Sequence, residues 1–247
     1  MIHSSDIHVD TDWTARQHGG DGTRGLRAVL DTARAVVADV VLLAGDVFDH
    51  NRLPDAVLER VAALLDAAGR PVIVLPGNHD AAAADCAWRR SPFAACTRLH
   101  VLGVTHRTTL RFPHLHLEVT GKPHRDYDDM VPLERSRARR ARWRIAVAHG
   151  HYVPVRDRSA PHHPSWLIHD RHLAAVDADY IALGHWNRPA RVGPRAANAH
   201  YCGSPELAGT VNLVTLRAAG GVRVRREPIR WSDGELGDED GGPGASP

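Results

Sequence analysis

Five short polar islands, each set at the end of an apolar run, constrain this chain more than any other feature. They are Asp6-Ile7-His8, Gly45-Asp46-Val47-Phe48-Asp49, Gly77-Asn78-His79-Asp80, His149-Gly150 and Gly184-His185-Trp186-Asn187. Four of the preceding runs are clear: Val40-Val41-Leu42-Leu43-Ala44, Val72-Ile73-Val74-Leu75, Ile145-Ala146-Val147-Ala148 and Tyr180-Ile181-Ala182-Leu183. Short apolar runs of this kind, broken by glycine or proline, read as buried strands rather than helices. Between the early ones lie helical spacings, at Leu26, Val29, Leu30, Ala33 and Val37 and at Val57, Leu58, Val61, Leu64 and Leu65, with Pro54 at a helix start. Strand alternating with helix implies βαβ units and a largely parallel sheet. Such sheets bind ligands beyond the carboxyl ends of their strands, so the fold itself is expected to gather the islands on one edge.

Farther along, Leu110, Phe112, Leu115, Leu117 and Val119 alternate in a β-rich stretch, and Val211–Leu216 and Val222–Arg225 form another strand pair. Both are expected to build a second sheet packed on the first. Residues 232–247 are rich in glycine and acid with no apolar period, so the folded domain is expected over 1–231 with a disordered tail after it. A net charge of +2 on 247 residues is too small by itself to imply nucleic acid or membrane as a partner. No apolar run approaches bilayer length, and a leader is not expected because the first island begins at residue 6. Three cysteines, Cys86, Cys96 and Cys202, are odd in number and lack metal-ligand spacing, which points to a reducing compartment and a cytoplasmic location.

Carboxylate, amide and imidazole donors arriving from five places suit a site for two divalent metals. Asp6 and His8 stand two apart, and a turn after the first strand lets both reach one ion. Asp46 follows Gly45, where a tight turn brings its carboxylate between two cations. Asn78, His149 and His185 then complete the second. Taken singly each island is weak, since an aspartate at a strand end is more often a turn residue or helix cap. The ordered set carries the argument.

That set resembles the calcineurin-like metallophosphoesterase superfamily, whose signature runs Asp-x-His, Gly-Asp-x-x-Asp, Gly-Asn-His-Asp/Glu, a histidine, then Gly-His-x-His. The resemblance spans about residues 1–216. It implies an α/β fold, a four-layer α/β/β/α sandwich of two mixed β-sheets flanked by helices, around a dinuclear centre filled by manganese, iron or zinc. By position it puts Asp6 and His8 on the first metal, Asp46 as the bridge, and Asn78, His149 and His185 on the second. It also puts His79 beside the phosphate, to protonate the leaving oxygen, with Asp49 orienting it and Asp80 supporting the loop. Asn187 stands where the motif has its last histidine, a ligand of the first metal. An amide is the poorer donor, which lowers affinity there or favours a harder ion such as manganese. His151, two residues beyond His149, is a candidate to compensate or to touch substrate; the plainer reading is a solvated histidine.

Within the superfamily, Ser4-Ser5-Asp6-Ile7-His8, Gly45–Asp49 and Tyr201-Cys202-Gly203-Ser204-Pro205-Glu206 look like the nuclease subunits of bacterial DNA-repair exonucleases, the SbcD-like branch. This implies a phosphodiesterase using a hydroxide held between two manganese ions, with DNA as the candidate substrate and no covalent phosphoenzyme. Two alternatives stand beside it: a phosphoesterase for a cyclic nucleotide or nucleotide, and an interaction scaffold weakened in catalysis, supported only by Asn187. The run Arg135, Arg137, Arg139, Arg140, Arg142, Arg144 can contact phosphates, but the preferred reading is a solvated helix face diluted by Glu134, Asp128 and Asp129. His162 and His163, and the pairs His114/His116 and His169/His172, are read as surface residues. No protein partner is implied.

Overall fold

A computed structural model describes residues 1–135, 138–154 and 165–231. The early strands are β1 (Ile2–Ser4), β2 (Val41–Ala44), β3 (Val72–Leu75), β4 (Leu99–Val101), β5 (Thr109–Phe112), β6 (Leu117–Gly121) and β7 (Trp143–His149). The later ones are β8 (His151–Tyr152), β9 (Leu167–Ile168), β10 (Tyr180–Gly184), β11 (Ala190–Val192), β12 (Ala199–Tyr201), β13 (Thr210–Leu216) and β14 (Val222–Pro228). Helices are α1 (Trp13–Gln17), α2 (Arg24–Ala35), α3 (Asp55–Asp66), α4 (Asp170–Ala174) and α5 (Pro205–Ala208).

The strands form two six-stranded mixed sheets, in the orders β14-β13-β1-β2-β3-β4 and β11-β12-β10-β7-β6-β5, with β8 and β9 as a separate pair. Within the first, β1 to β4 run parallel and the β13–β14 hairpin adds antiparallel to β1. Within the second, β12, β10, β7 and β6 run parallel, with β11 and β5 antiparallel at the edges.

Covering both faces of the central parallel strands explains why β2, β3 and β10 are apolar throughout. Val41, Leu43, Val72 and Val74 face outward against Leu26, Val29 and Ala33 of α2 and Leu58, Val61 and Leu65 of α3. Their neighbours Leu42, Ala44, Ile73 and Leu75 face the second sheet and meet Val119, Ile145, Val147, Tyr180 and Ala182. The far side of that sheet, Ala146, Ala148, Ile181 and Leu183, packs on Ile168 and Leu173. The expected α/β fold of two mixed sheets is thus present, with a thin outer layer over the second sheet built from α4 and the β8–β9 pair.

Three expectations need correction. The strand pair after residue 210 does not join the second sheet; it extends the first, because β13 pairs with β1 through Ile2 and His3. Alternation marks which residues are buried, not which sheet they complete. Nor do the five islands follow strands of one sheet: three follow β1, β2 and β3, and two follow β7 and β10 of the other. The arginine-rich run is not a helix among its described residues. Arg144 is buried in β7 against Glu118, Arg139 pairs with Asp177 and Asp179, and Arg142 reaches the Ala218 carbonyl. Arg137, His162, His163 and the tail lie outside the described residues. His114 and His116 are exposed, whereas His169 and His172 are half-buried and cap α4. Among the described residues no helix is long and apolar enough to cross a membrane.

Candidate metal centre

The segments beyond β1 and β2 stay paired after the sheet ends. The amides of Ile7 and His8 donate to the Asp46 carbonyl at 2.9 and 3.1 Å, and Asp6 N donates to Gly45 O at 3.0 Å. This pairing holds the first two islands side by side. Several residues at this edge adopt backbone that residues with a side chain rarely take: Asp6, His8, Asp46 and His185 have φ of 53°, 51°, 52° and 102°. Left-handed non-glycine residues cost of order 1–3 kcal/mol each and persist only where surrounding structure fixes them. Four of them at one strand edge, all on predicted ligands, mark the site from the backbone alone.

The second sheet closes on the first at this same edge. His149 Nδ1 bonds the Ala44 carbonyl at 2.8 Å, and His185 N donates to both oxygens of Asp6 at 3.1 and 3.0 Å. Glycine is required for the approach. A Cβ on Gly184 would sit 1.9 Å from Ala44 O, and one on Gly45, whose φ is +94°, would sit 2.1 Å from His149 Nδ1.

The third island is tied in by Asp80. Its buried carboxylate accepts from Gly77 N at 2.7 Å, Asp46 N at 3.2 Å, Val47 N at 3.1 Å and Trp88 Nε1 at 3.2 Å. His79 N donates to Asp46 Oδ1 at 2.9 Å, and Asn78 Oδ1 lies 3.0 Å from His149 Nε2. The His79 ring bonds the Asp49 carbonyl through Nδ1 at 2.8 Å. The Asp49 carboxylate is 3.1 Å from His8 Nδ1 and 3.4 Å from His79 Nδ1, so it serves both rings.

Three groups of donor atoms, each mutually within 4.8 Å, emerge: Asp6, His8 and Asp46; Asp46, His149 and His185; and His8, Asp49 and His79. Asp46 belongs to the first two. Asp6, Asp46 and His149 are buried at the floor, while the side chains of Asp49 and His79 are 42% exposed at the mouth. Burial, reinforced by Asp46, raises Asp6 above the usual carboxylate range against the pull of His149. Burial works against ionising Asp46 too, but the charge and hydrogen bond of His149, then His79 and His8, hold it well below that range. Burial also opposes the charge on His149, yet Asp46 and then Asp6 lift it to about 9. Burial and the His149 charge lower His185 to about 4. Two buried carboxylates therefore demand a counter-charge, and the donors around them are oxygen and imidazole. That set fits a divalent cation.

Two sequence candidates stand apart from these groups. Asn187 is exposed, its backbone carbonyl accepting from Ser204 N at 3.2 Å. His151 is half-buried rather than solvated; its Nδ1 accepts from Trp186 Nε1 at 3.1 Å, and its ring lies edge-on to His185. Conversely, His124 was not legible as part of the site. It is buried behind His149, with Nε2 at 2.8 Å from the His149 carbonyl, and burial lowers it to about 4. The available signal was position: His124 follows β6, the parallel neighbour of β7, just beyond its carboxyl end.

A family model described as calcineurin-like phosphoesterase matches residues 1–189. The SbcD subunit of the nuclease SbcCD from Bacillus subtilis is 24% identical over 246 residues, covering 83% of this chain and 61% of that protein. Its namesake from Escherichia coli is 24% identical over 250 residues, covering 83% and 60%. The DNA double-strand break repair protein Mre11 of Aeropyrum pernix is 37% identical over 89 residues, 32% of this chain and 20% of that protein. The chain thus spans about three fifths of the length of the SbcCD nuclease subunits it matches. One solved crystal structure shares the fold with a TM-score of 0.51 at 11% identity, covering 92% of this chain and 99% of that one.

Proposed function

This chain belongs to the calcineurin-like phosphoesterase family, and on that footing we propose that it is a metal-dependent phosphodiesterase of the nuclease type, acting with two divalent cations, manganese foremost. The observation that carries the reading is the sharing of Asp46 between two oxygen-and-imidazole groups. In this reading Asp6, His8 and Asp46 hold the first cation, with Asn187 joining them by its place in the motif. Asp46, Asn78, His149 and His185 hold the second. Iron or zinc also suits such donors, but with an amide in each set a harder ion is favoured. When bound, the ions supply Lewis acidity towards phosphoryl oxygens and lower the pKa of water for in-line attack.

The remaining work falls to the chain's own side chains. His79 Nδ1 donates to the Asp49 carbonyl, which fixes the ring so that Nε2 carries the proton that moves. Protonated, it delivers that proton to the leaving oxygen, and the Asp49 carboxylate stabilises the positive ring. Asp80, by gathering three backbone N–H groups, keeps His79 and Asp46 at fixed separation. His124 backs the His149 strand end. His151, beside His185 and Trp186, is a substrate-contacting residue in this reading.

The nuclease assignment draws on the relatives' names and on the DNA-repair motifs. Its test is manganese-dependent hydrolysis of bis-p-nitrophenyl phosphate, single-stranded DNA, duplex ends and cyclic nucleotides by purified protein. Turnover of DNA supports the proposal. Turnover of cyclic nucleotides alone replaces it with a small-molecule phosphodiesterase. Failure on every diester, together with failure to take up metal, overturns both.

A further inference from the structure

The outer face of the second sheet is built in two unlike halves. Over β10, β12 and the Ala146–Ala148 end of β7 the outward residues are apolar and buried. On β5 and β6 the outward positions are Thr109, Arg111, Glu118 and Thr120, while the inward ones, Leu110, Phe112, Leu117 and Val119, are apolar. Period-two alternation of this kind turns a polar surface away from the core. Here that surface lines a recess that is partly open to solvent. Together with Pro132 and Leu133 it bounds a cavity of about 640 Å³, which also touches Arg144, Ala146 and Val147 of β7 and is lined by none of the candidate metal ligands. Cavities of roughly 300–1,000 Å³ take ligands of small-molecule size.

Charge in this cavity is strongly one-sided. Six basic and two acidic side chains line it, in a chain whose formal net charge is only +2. One of the acids, Glu118, is buried at the floor and already answered. Arg111 Nε meets one of its oxygens at 3.0 Å, and Arg144 Nη2 meets the other at 2.7 Å. Arg107, Lys122, Arg135 and Arg140 remain facing Glu134, and among the described residues none of these four makes an ion pair with a carboxylate. The threonine hydroxyls of Thr109 and Thr120 lie 3.2 Å apart on the same floor. No aromatic ring is among the lining residues, so the cavity offers charge and hydroxyl groups but no platform for stacking a base.

We propose that this cavity is an anion-binding site for a molecule carrying closely spaced phosphates, separate from the candidate metal centre and independent of its assignment. The shared chemistry admits two sources, a compact polyphosphate such as a nucleoside triphosphate or the backbone of a nucleic-acid strand. Recognition is through phosphate charge in either case, which makes it salt-dependent and indifferent to base.

The test is binding of inorganic tripolyphosphate and of a short oligothymidylate to the full chain. It is done in the presence of a chelator, so that cations at the metal centre do not contribute. The double variant Arg135→Glu/Arg140→Glu is compared with the unaltered protein, and Arg107→Glu provides a second, separate charge reversal. The expected result is binding that weakens roughly tenfold or more in the variants and falls less steeply with salt. The thermal unfolding midpoint of each variant should stay close to that of the unaltered protein, reporting an intact fold. Loss with tripolyphosphate assigns the compact source, and loss with oligothymidylate alone assigns the strand. Absence of binding by the unaltered protein, or equal affinity in the variants for both probes, overturns the proposal.

Discussion

Asp46 is the residue on which the proposed chemistry turns, because one buried carboxylate faces donors from both sheets. Asp46→Asn removes the shared charge and is expected to abolish metal uptake and hydrolysis together, measured by metal titration and diester turnover. His79→Asn is expected to behave differently. It keeps the metal but loses at least about 100-fold in turnover, in the range of a lost general acid; unchanged turnover would remove His79 from the mechanism. Asn187→His is expected to leave activity intact or raise it. A collapse would mean that the amide has a role no imidazole can fill. The His149 proton gives a further check. In the metal-free protein its folded value is raised to about 9 by Asp46 and Asp6 against burial. A divalent cation must displace that proton, so metal uptake should release protons and tighten as the pH rises towards 9. Calorimetry in buffers of different ionisation heat reads this directly, and a pH-independent affinity would contradict it.

Among the elements, the strand ends do the positioning, and glycine decides whether they can. Gly45→Ala places a Cβ in the His149 ring and forces a left-handed alanine. It is expected to cost more than about 1 kcal/mol of stability and to weaken metal binding, seen in denaturant titration and metal uptake. Asp80→Ala strips one acceptor from three amides and an indole, and is expected to cost roughly 3 kcal/mol. The legibility of the site in the sequence follows from the same physics. The strands before Asp46, Asn78, His149 and His185 were readable because parallel strands covered on both faces are apolar throughout. Their division between two sheets was not, since periodicity reports burial and carries no strand order. Nor were the positive φ values of Asp6, His8, Asp46 and His185, which side-chain chemistry disfavours. His124 escaped because its strand was expected to end at Val119, two residues before the observed end of β6. The arginine run was not legible as strand and loop because a dense basic charge does not fix an element, and tertiary ion pairs and hydrogen bonds take those side chains to different partners.

Across the whole molecule, stability should depend on pH through histidines held neutral between the sheets. Burial, then the His200 and Arg226 charges, lowers His3 to about 3; burial, then Arg191 and Arg226, lowers His200 to about 4. The unfolded chain protonates these rings near pH 6.5 while the folded chain refuses the proton. The stability these two rings contribute is therefore full above that value and drains away as the pH falls towards 4 and then 3. Thermal midpoints are expected to drop through this window, and less steeply in His200→Gln; a flat profile would contradict the burial argument. At this scale the proposed pair of cations around Asp46 joins one sheet to the other, and anomalous diffraction from manganese-loaded crystals would locate both ions. Two peaks sharing the Asp46 carboxylate are expected, one beside Asp6 and His8 and the other beside Asn78, His149 and His185. A single peak, or two peaks that do not both touch Asp46, would contradict the dinuclear assignment.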